Sequence, residues 1–240
     1  MAHADNFCVT TSMGLRWLSW LAAAAVLAAL YMSVFYAPTE VVMGAVQRIF
    51  YFHISAGWVG GLAFLIAAVS GVCYLIRPRV ELDAYGHAAV EIGLMFTIVN
   101  IATGSIWARP IWNTWWTWDP RLITASVMAV VYAGYLLLRR SITLPEARGR
   151  TSAGYAILSF LSVPLTFLSI RLFRTLHPVV IVQEGGFEAL SIKMMITLVI
   201  CLVAFTLLFA VLMGHRLRLI RLQRKVEELT WAQMRIPEKG

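Results

Sequence analysis

Six apolar runs, each about as long as a bilayer is thick, constrain this chain more than any other feature of it. They cover approximately residues 15–36, 51–76, 88–108, 122–138, 152–173 and 189–213, the fourth being the shortest. A helix rises about 1.5 Å per residue, so roughly 20 residues cross a hydrocarbon core of about 30 Å. In lipid, every backbone N–H and C=O must be satisfied internally, which a helix does within its own segment. Composition agrees, with 60% hydrophobic and 13% charged residues, against roughly a quarter charged in an average soluble domain. The expected fold is an all-α polytopic membrane protein with six transmembrane helices. The first run follows a short polar start and a single Arg16, as a signal peptide would. Its apolar stretch from Leu15 to Ala37 outruns a signal core and ends in no small-residue cleavage site, so a retained span is favoured.

Lysine and arginine set the orientation. With the N-terminus inside, Arg16, Arg77, Arg79, Arg139, Arg140, Arg148, Arg150 and the run Arg216, Arg218, Arg221, Arg224, Lys225 are cytoplasmic. Arg48, Arg109, Arg121, Arg171, Arg174 and Lys193 remain outside, so the positive-inside rule places both termini in the cytoplasm. The net charge of +8 then reflects helix ends facing anionic lipid and calls for no nucleic acid. Residues 1–214 read as one six-helix domain and 215–240 as a basic cytoplasmic tail. The stretch His215–Trp231 extends the last helix, to lie on the membrane surface or, less favoured, to meet a partner. The three cysteines, Cys8, Cys73 and Cys201, have no spacing that suggests a disulfide, a zinc site or a thioether attachment sequence. A Walker-type phosphate loop is also missing from the sequence, and no conventional catalytic residues are readable.

Five of the nine tryptophans, Trp107, Trp112, Trp115, Trp116 and Trp118, fall between Gly104 and Arg121, among Arg109, Asp119 and Arg121. Indole has an apolar body and one N–H, so tryptophan favours places wet on one side and apolar on the other. An aromatic belt spreads its rings over several helix ends. Here they are concentrated in one extracytoplasmic loop between the third and fourth spans, residues 104–124, which favours a surface for a flat aromatic ligand over a pure anchor. Pro110 and Pro120 bracket the segment, which is expected to be an irregular or one-turn cap. Asp119-Pro120 also fits a helix N-cap followed by proline at the first helical position.

Two histidines join the tryptophans. The 24 residues from His53 to Arg77 span about 36 Å as helix, which puts His53 at the outer end of the second span. His177 follows the fifth span outward. His3, His87 and His215 fall on the inner side. A lone histidine at a helix end is more often a hydrogen-bonded interface residue, but neutral imidazole also binds iron, and two of them complete six-coordination of a haem. Aromatic rings would shelter the porphyrin and arginines would meet its propionates. Glu91 and Lys193 lie close enough to the interfaces to snorkel and are given no chemistry, Glu188 accompanies Lys193 near the outer start of the sixth span, and Asn100 alone is a thin basis for a polar path.

The stretch Trp112-Asn113-Thr114-Trp115-Trp116-Thr117-Trp118-Asp119-Pro120-Arg121-Leu122 resembles the tryptophan-rich WWD signature of the haem-handling proteins of cytochrome c maturation, and the size and six-span layout resemble the CcmC branch. Arg48-Ile49-Phe50-Tyr51-Phe52-His53, Gly104-Ser105-Ile106-Trp107 and Thr175-Leu176-His177 extend the resemblance over roughly 40–215. It implies a haem delivery protein in the cytoplasmic (inner) membrane, with b-type, non-covalently held haem as transient cargo on the outer face. His53 and His177 are its implied axial ligands, and Trp107, Trp112, Trp115, Trp116, Trp118, Arg109, Asp119 and Arg121 its surroundings. The implied partners are a membrane-anchored haem chaperone, a pair of ATP-binding cassette transporter subunits and a small single-span protein. Asn113 and Ala108 stand where the signature commonly has glycine, and Ala takes left-handed angles poorly, so the path near Trp107 is expected to differ. Arg171 and Arg174 replace a more aromatic lead-in to His177.

Three other readings compete. A synthase-type relative would need more spans and a second outer histidine pair. A membrane b-type cytochrome or quinone-linked carrier would bury its histidine pairs within the bundle. A haem transmembrane transporter would need a polar route through the helices.

Overall fold

The computed structural model describes residues 3–41, 43–173 and 191–234. The described elements are α1 (His3–Tyr31), α2 (Arg48–Ile76), α3 (Val80–Trp112), α4 (Pro120–Ser141), α5 (Pro145–Ser159), α6 (Ser162–Leu172) and α7 (Ile192–Met234), with a π-turn, Met32–Tyr36, closing α1 and a 3-10 turn, Ala45–Gln47, leading into α2. Six helical segments are long and apolar enough to cross a membrane, and the chain is a multi-pass membrane protein. The expected fifth span is built from two helices, α5 and α6. Pro164 has no N–H to offer the carbonyl of Phe160, which accepts from the Val163 amide at 3.0 Å instead. Ser159 O, which Val163 would have met in a regular helix, takes the Ser162 hydroxyl at 2.6 Å. Such local replacement lets a proline break persist inside a membrane segment.

α2 and α3 are the central antiparallel pair. α7 packs against both and carries α1 on its other side, while α4 and α5 complete the bundle against α3 and α2, and α6 against α4. Small residues let α2 and α3 approach closely, as is usual between membrane helices. A Cβ at Gly60 would lie 3.0 Å from Thr97 Oγ1, and one at Gly93 would lie 2.7 Å from Phe64 Cε1. Phe64 is fully buried and stacks on Tyr132 of α4, with centroids 3.4 Å apart and planes within 2°. Trp58 of α2 donates its indole N–H to Thr206 of α7 at 3.1 Å.

The end of the bundle where α3 begins, α4 ends and α7 extends is tied by ion pairs. Arg139 makes two 2.6 Å hydrogen bonds to Asp83, both side chains being largely buried. Arg216 reaches Glu91, its Nη2 at 2.8 Å from Oε1, and His87 lies one turn away at 3.4 Å. Glu91 is therefore not merely snorkelling, as its place near the interface suggested. α3 starts at Val80, eight residues earlier than the apolar run, so Glu91 sits three turns into the helix and is held there by an arginine of α7. At the opposite end Lys193 lies over the ring of Tyr36, 5.6 Å from its centroid. α7 continues as one helix across residues 214 and 215.

Candidate functional site

The site is built where the start of α2 meets the last turns of α3. His53, one and a half turns into α2, turns its ring to α3: Nδ1 lies 3.0 Å from the main-chain oxygen of Asn100 and 3.2 Å from Thr103 Oγ1. A carbonyl oxygen can only accept. The Thr103 hydroxyl directs its hydrogen to the carbonyls of Val99 and Asn100, at 2.8 and 3.0 Å, and so it too accepts from the ring. Facing a carbonyl at 3.0 Å, Nδ1 is placed to donate, and a ring protonated there alone carries its lone pair on Nε2. This is the arrangement in which a histidine, its other nitrogen tied to a carbonyl, binds a metal. Gly104 gives the ring its space, because a Cβ there would stand 3.0 Å from His53 Cε1.

The same face of α3 leads outward to the tryptophans, Trp107 lying one turn beyond Thr103. Trp107 and Trp112 meet edge to face, 5.1 Å between centroids at 86°. Contrary to expectation, the segment is not irregular throughout: α3 runs on through Pro110 to Trp112, and only residues 113–119 lie between helices. Pro110 removes one hydrogen bond, to Ile106, so close to the helix end that the last turn survives. Ala108 is accordingly helical and buried, and the left-handed angle falls on Asn113, at φ 54° and ψ 23°. Arg109 seals this terminus by donating from Nη1 to Asn113 O at 2.7 Å and Asn113 Oδ1 at 2.6 Å.

Beyond Asn113 the chain turns on Thr114, whose hydroxyl donates to Trp116 O at 2.9 Å. Trp116 and Trp118 again pack edge to face, at 6.0 Å and 85°. Trp115 and Trp118 are 58% and 81% exposed, while Trp107, Trp112 and Trp116 are half-buried. Asp119 is buried and caps α4, accepting from the Arg121 amide at 3.0 Å, with Pro120 at the first helical position. Its carboxylate also faces the Arg121 side chain, whose buried Nη1 makes no hydrogen bond among the described residues.

The structure thus joins His53 to the α3 face that carries Trp107, ends α3 on Trp112, strings Trp115, Trp116, Trp118 and Asp119 between α3 and α4, and places Arg121 in the first turn of α4. Arg109 has its Nη1 engaged in the helix cap. His177, Arg174 and Glu188 lie outside the described residues, and Arg171 is exposed in the last turn of α6. Asn100 and Thr103 went unrecognised as site residues. Their signal was present, because an asparagine deep in an apolar span must find a partner, but which partner depends on how α2 crosses α3.

These features define a class: a multi-pass, helical membrane protein carrying a tryptophan-rich cap beside a histidine whose Nδ1 faces a main-chain carbonyl. A family model described as "Heme exporter protein C" matches residues 1–232, and the chain belongs to that family. It is 30% identical over 236 residues to "Heme exporter protein C" of Bradyrhizobium diazoefficiens, covering 97% of this chain and 88% of that one. It is 29% identical over 145 residues to the protein of the same name from Escherichia coli strain K12, covering 59% and 58%. A mitochondrial protein of Marchantia polymorpha, named for cytochrome c biosynthesis, is 27% identical over 177 residues, covering 74% and 75%.

Proposed function

We propose that this protein holds haem, non-covalently and as cargo, at the outer face of the cytoplasmic membrane and delivers it to a haem chaperone for c-type cytochrome biogenesis. The names of its relatives support haem export and cytochrome c biosynthesis as the setting. The observation that carries the reading is the 3.0 Å approach of His53 Nδ1 to the Asn100 carbonyl at the foot of the tryptophan segment. A ring whose Nδ1–H is committed to a carbonyl has its lone pair on the nitrogen that bonds iron. His177 supplies the second axial nitrogen. The exposed faces of Trp115 and Trp118 cover a porphyrin edge, and the half-buried Arg121, whose Nη1 has no hydrogen-bond partner among the described residues, meets a propionate.

Delivery requires that the ligands release in turn. Two neutral imidazoles hold iron without covalent attachment. The chaperone docks on the tryptophans and replaces one imidazole at a time. An ATP-binding cassette pair and a small single-span protein complete the assembly, and no catalytic base is required of this chain. Both termini lie in the cytoplasm.

The test is the absorption spectrum of the detergent-purified protein, as isolated and after dithionite, for wild type, His53→Ala and His177→Ala. Low-spin bis-imidazole bands that are lost or turn high-spin in both variants are the expected result. Normal haem in both single variants would overturn the axial assignment. A wild type that neither carries nor takes up haem would reduce the tryptophans to an anchor or a protein-docking surface.

A further inference from the structure

We propose that Asn100 is the positioning residue of His53, the two forming a reciprocal pair in which each side chain donates to the other's main-chain carbonyl. The inference rests on His53 being an iron ligand. His53 Nδ1–H donates to Asn100 O at 3.0 Å, and Asn100 Nδ2 donates to His53 O at 2.7 Å. Both acceptors are carbonyls. Only an N–H can face His53 O, so the Asn100 amide is fixed one way round, and the imidazole is placed to donate from Nδ1. Asn100 Nδ2 also lies 3.3 Å from His53 Nδ1, an approach that would be a hydrogen bond only with the ring proton on Nε2, so the position of that proton is what the first measurement reads.

Two glycines make room for the pair. A Cβ at Gly57, one turn below His53, would lie 3.0 Å from Asn100 Nδ2; a Cβ at Gly104, one turn above Asn100, would lie 3.0 Å from His53 Cε1. Thr103 adds a second acceptor for Nδ1–H at 3.2 Å. The pair ties the helix bearing the histidine to the helix bearing Trp107, so the direction of the Nε2 lone pair and the position of the aromatic segment are set by one connection. It also draws electron density toward Nε2, because a histidine whose distal N–H is held by a carbonyl is the more basic ligand. Leucine at 100 fills the same volume without the donor. Aspartate presents an oxygen to the His53 carbonyl, acceptor against acceptor.

The test begins with the wild-type protein. In haem-free, 15N-histidine-labelled protein, with His53 assigned by its loss in His53→Gln, the ring should carry its proton on Nδ1; a proton on Nε2 would overturn the proposal. The haem-loaded wild type, Asn100→Leu, Thr103→Val, Thr103→Ser and His53→Ala are then compared for haem loss to an added apoprotein scavenger and for midpoint potential. Asn100→Leu should lose haem about 10–100-fold faster and show a raised potential, as loss of an outer-shell partner of a ligating histidine does. Thr103→Val should shift the potential in the same direction by less, and Thr103→Ser should match the wild type. Wild-type haem loss and potential in Asn100→Leu, alongside loss of the low-spin spectrum in His53→Ala, would overturn the role of Asn100 and leave His53 as a ligand. A wild-type spectrum in His53→Ala would overturn both readings. If Asn100→Leu does not fold, the wild-type tautomer decides.

Discussion

Gly93→Ala tests whether the close approach of α2 and α3 is what holds the site. A Cβ at 93 would stand 2.7 Å from Phe64 Cε1 and 2.9 Å from Ala63 Cβ and Phe64 Cδ1. Ordinary contact begins at 3.4 Å, so the closest pair falls short by 0.7 Å (3.4 less 2.7). Phe64 cannot turn aside, because it is fully buried and stacked flat on Tyr132. The helices must part instead. Asn100 lies two turns further along α3, and an opening carried that far would stretch His53 Nδ1···Asn100 O from 3.0 Å to about 3.7 Å, past hydrogen-bond range. Overpacking of this kind costs about 1–3 kcal/mol, or roughly 2–12 °C of Tm for a chain of this size. Thermal unfolding in detergent and the haem spectrum would be measured for Gly93→Ala and for Gly93→Ala with Ala63→Gly and Phe64→Leu, which together remove both close contacts and should recover part of both signals. Wild-type melting and haem retention in Gly93→Ala would refute the reasoning.

Asp83→Asn should destabilise the protein by about 3–5 kcal/mol, because it leaves the Arg139 charge, 8% exposed, without its carboxylate; thermal unfolding would show it, and replacing both residues by leucine should recover most of the loss. Trp118→Ala should leave stability within about 0.5 kcal/mol, since the ring is 81% exposed, yet slow haem transfer to the chaperone; unchanged transfer would return Trp118 to the role of an anchor. Asp119→Ala should cost about 0.5–2 kcal/mol as a lost helix cap, with Asp119→Asn milder because it keeps an acceptor for the Arg121 amide, and melting curves of the two would separate capping from charge.

Much of the fold was legible because lipid leaves few choices. Twenty apolar residues in a row read as a helix wherever their neighbours lie, and six such runs read as six spans. Proline and asparagine were legible as local signals: Pro120 starts α4 behind its Asp119 cap, and Asn113 takes the left-handed angle. The continuation of α3 through Pro110 was not, because a proline near a helix end costs little and the decision falls to the cap that Arg109 and Asn113 form between them. The break at Pro164 is in the sequence, but the serine hydroxyl and shifted amide that accommodate it appear only when the turn is built.

By itself the sequence determined the number of spans and the clustering of tryptophans beside Asp119 and Arg121, and it offered two histidines, His53 and His177, as a candidate pair. All of these depend on residue type and on spacing along one helix. Tertiary structure alone decided that the His53 ring faces Asn100, that Gly57 and Gly104 make room for that pair, and that Glu91 answers to Arg216 across 125 positions of chain. The physical reason is that a tautomer, or the fate of a buried charge, is set by atoms 3 Å away in space. Which atoms those are is fixed by the crossing of helices, and each helix's own periodicity leaves that crossing open.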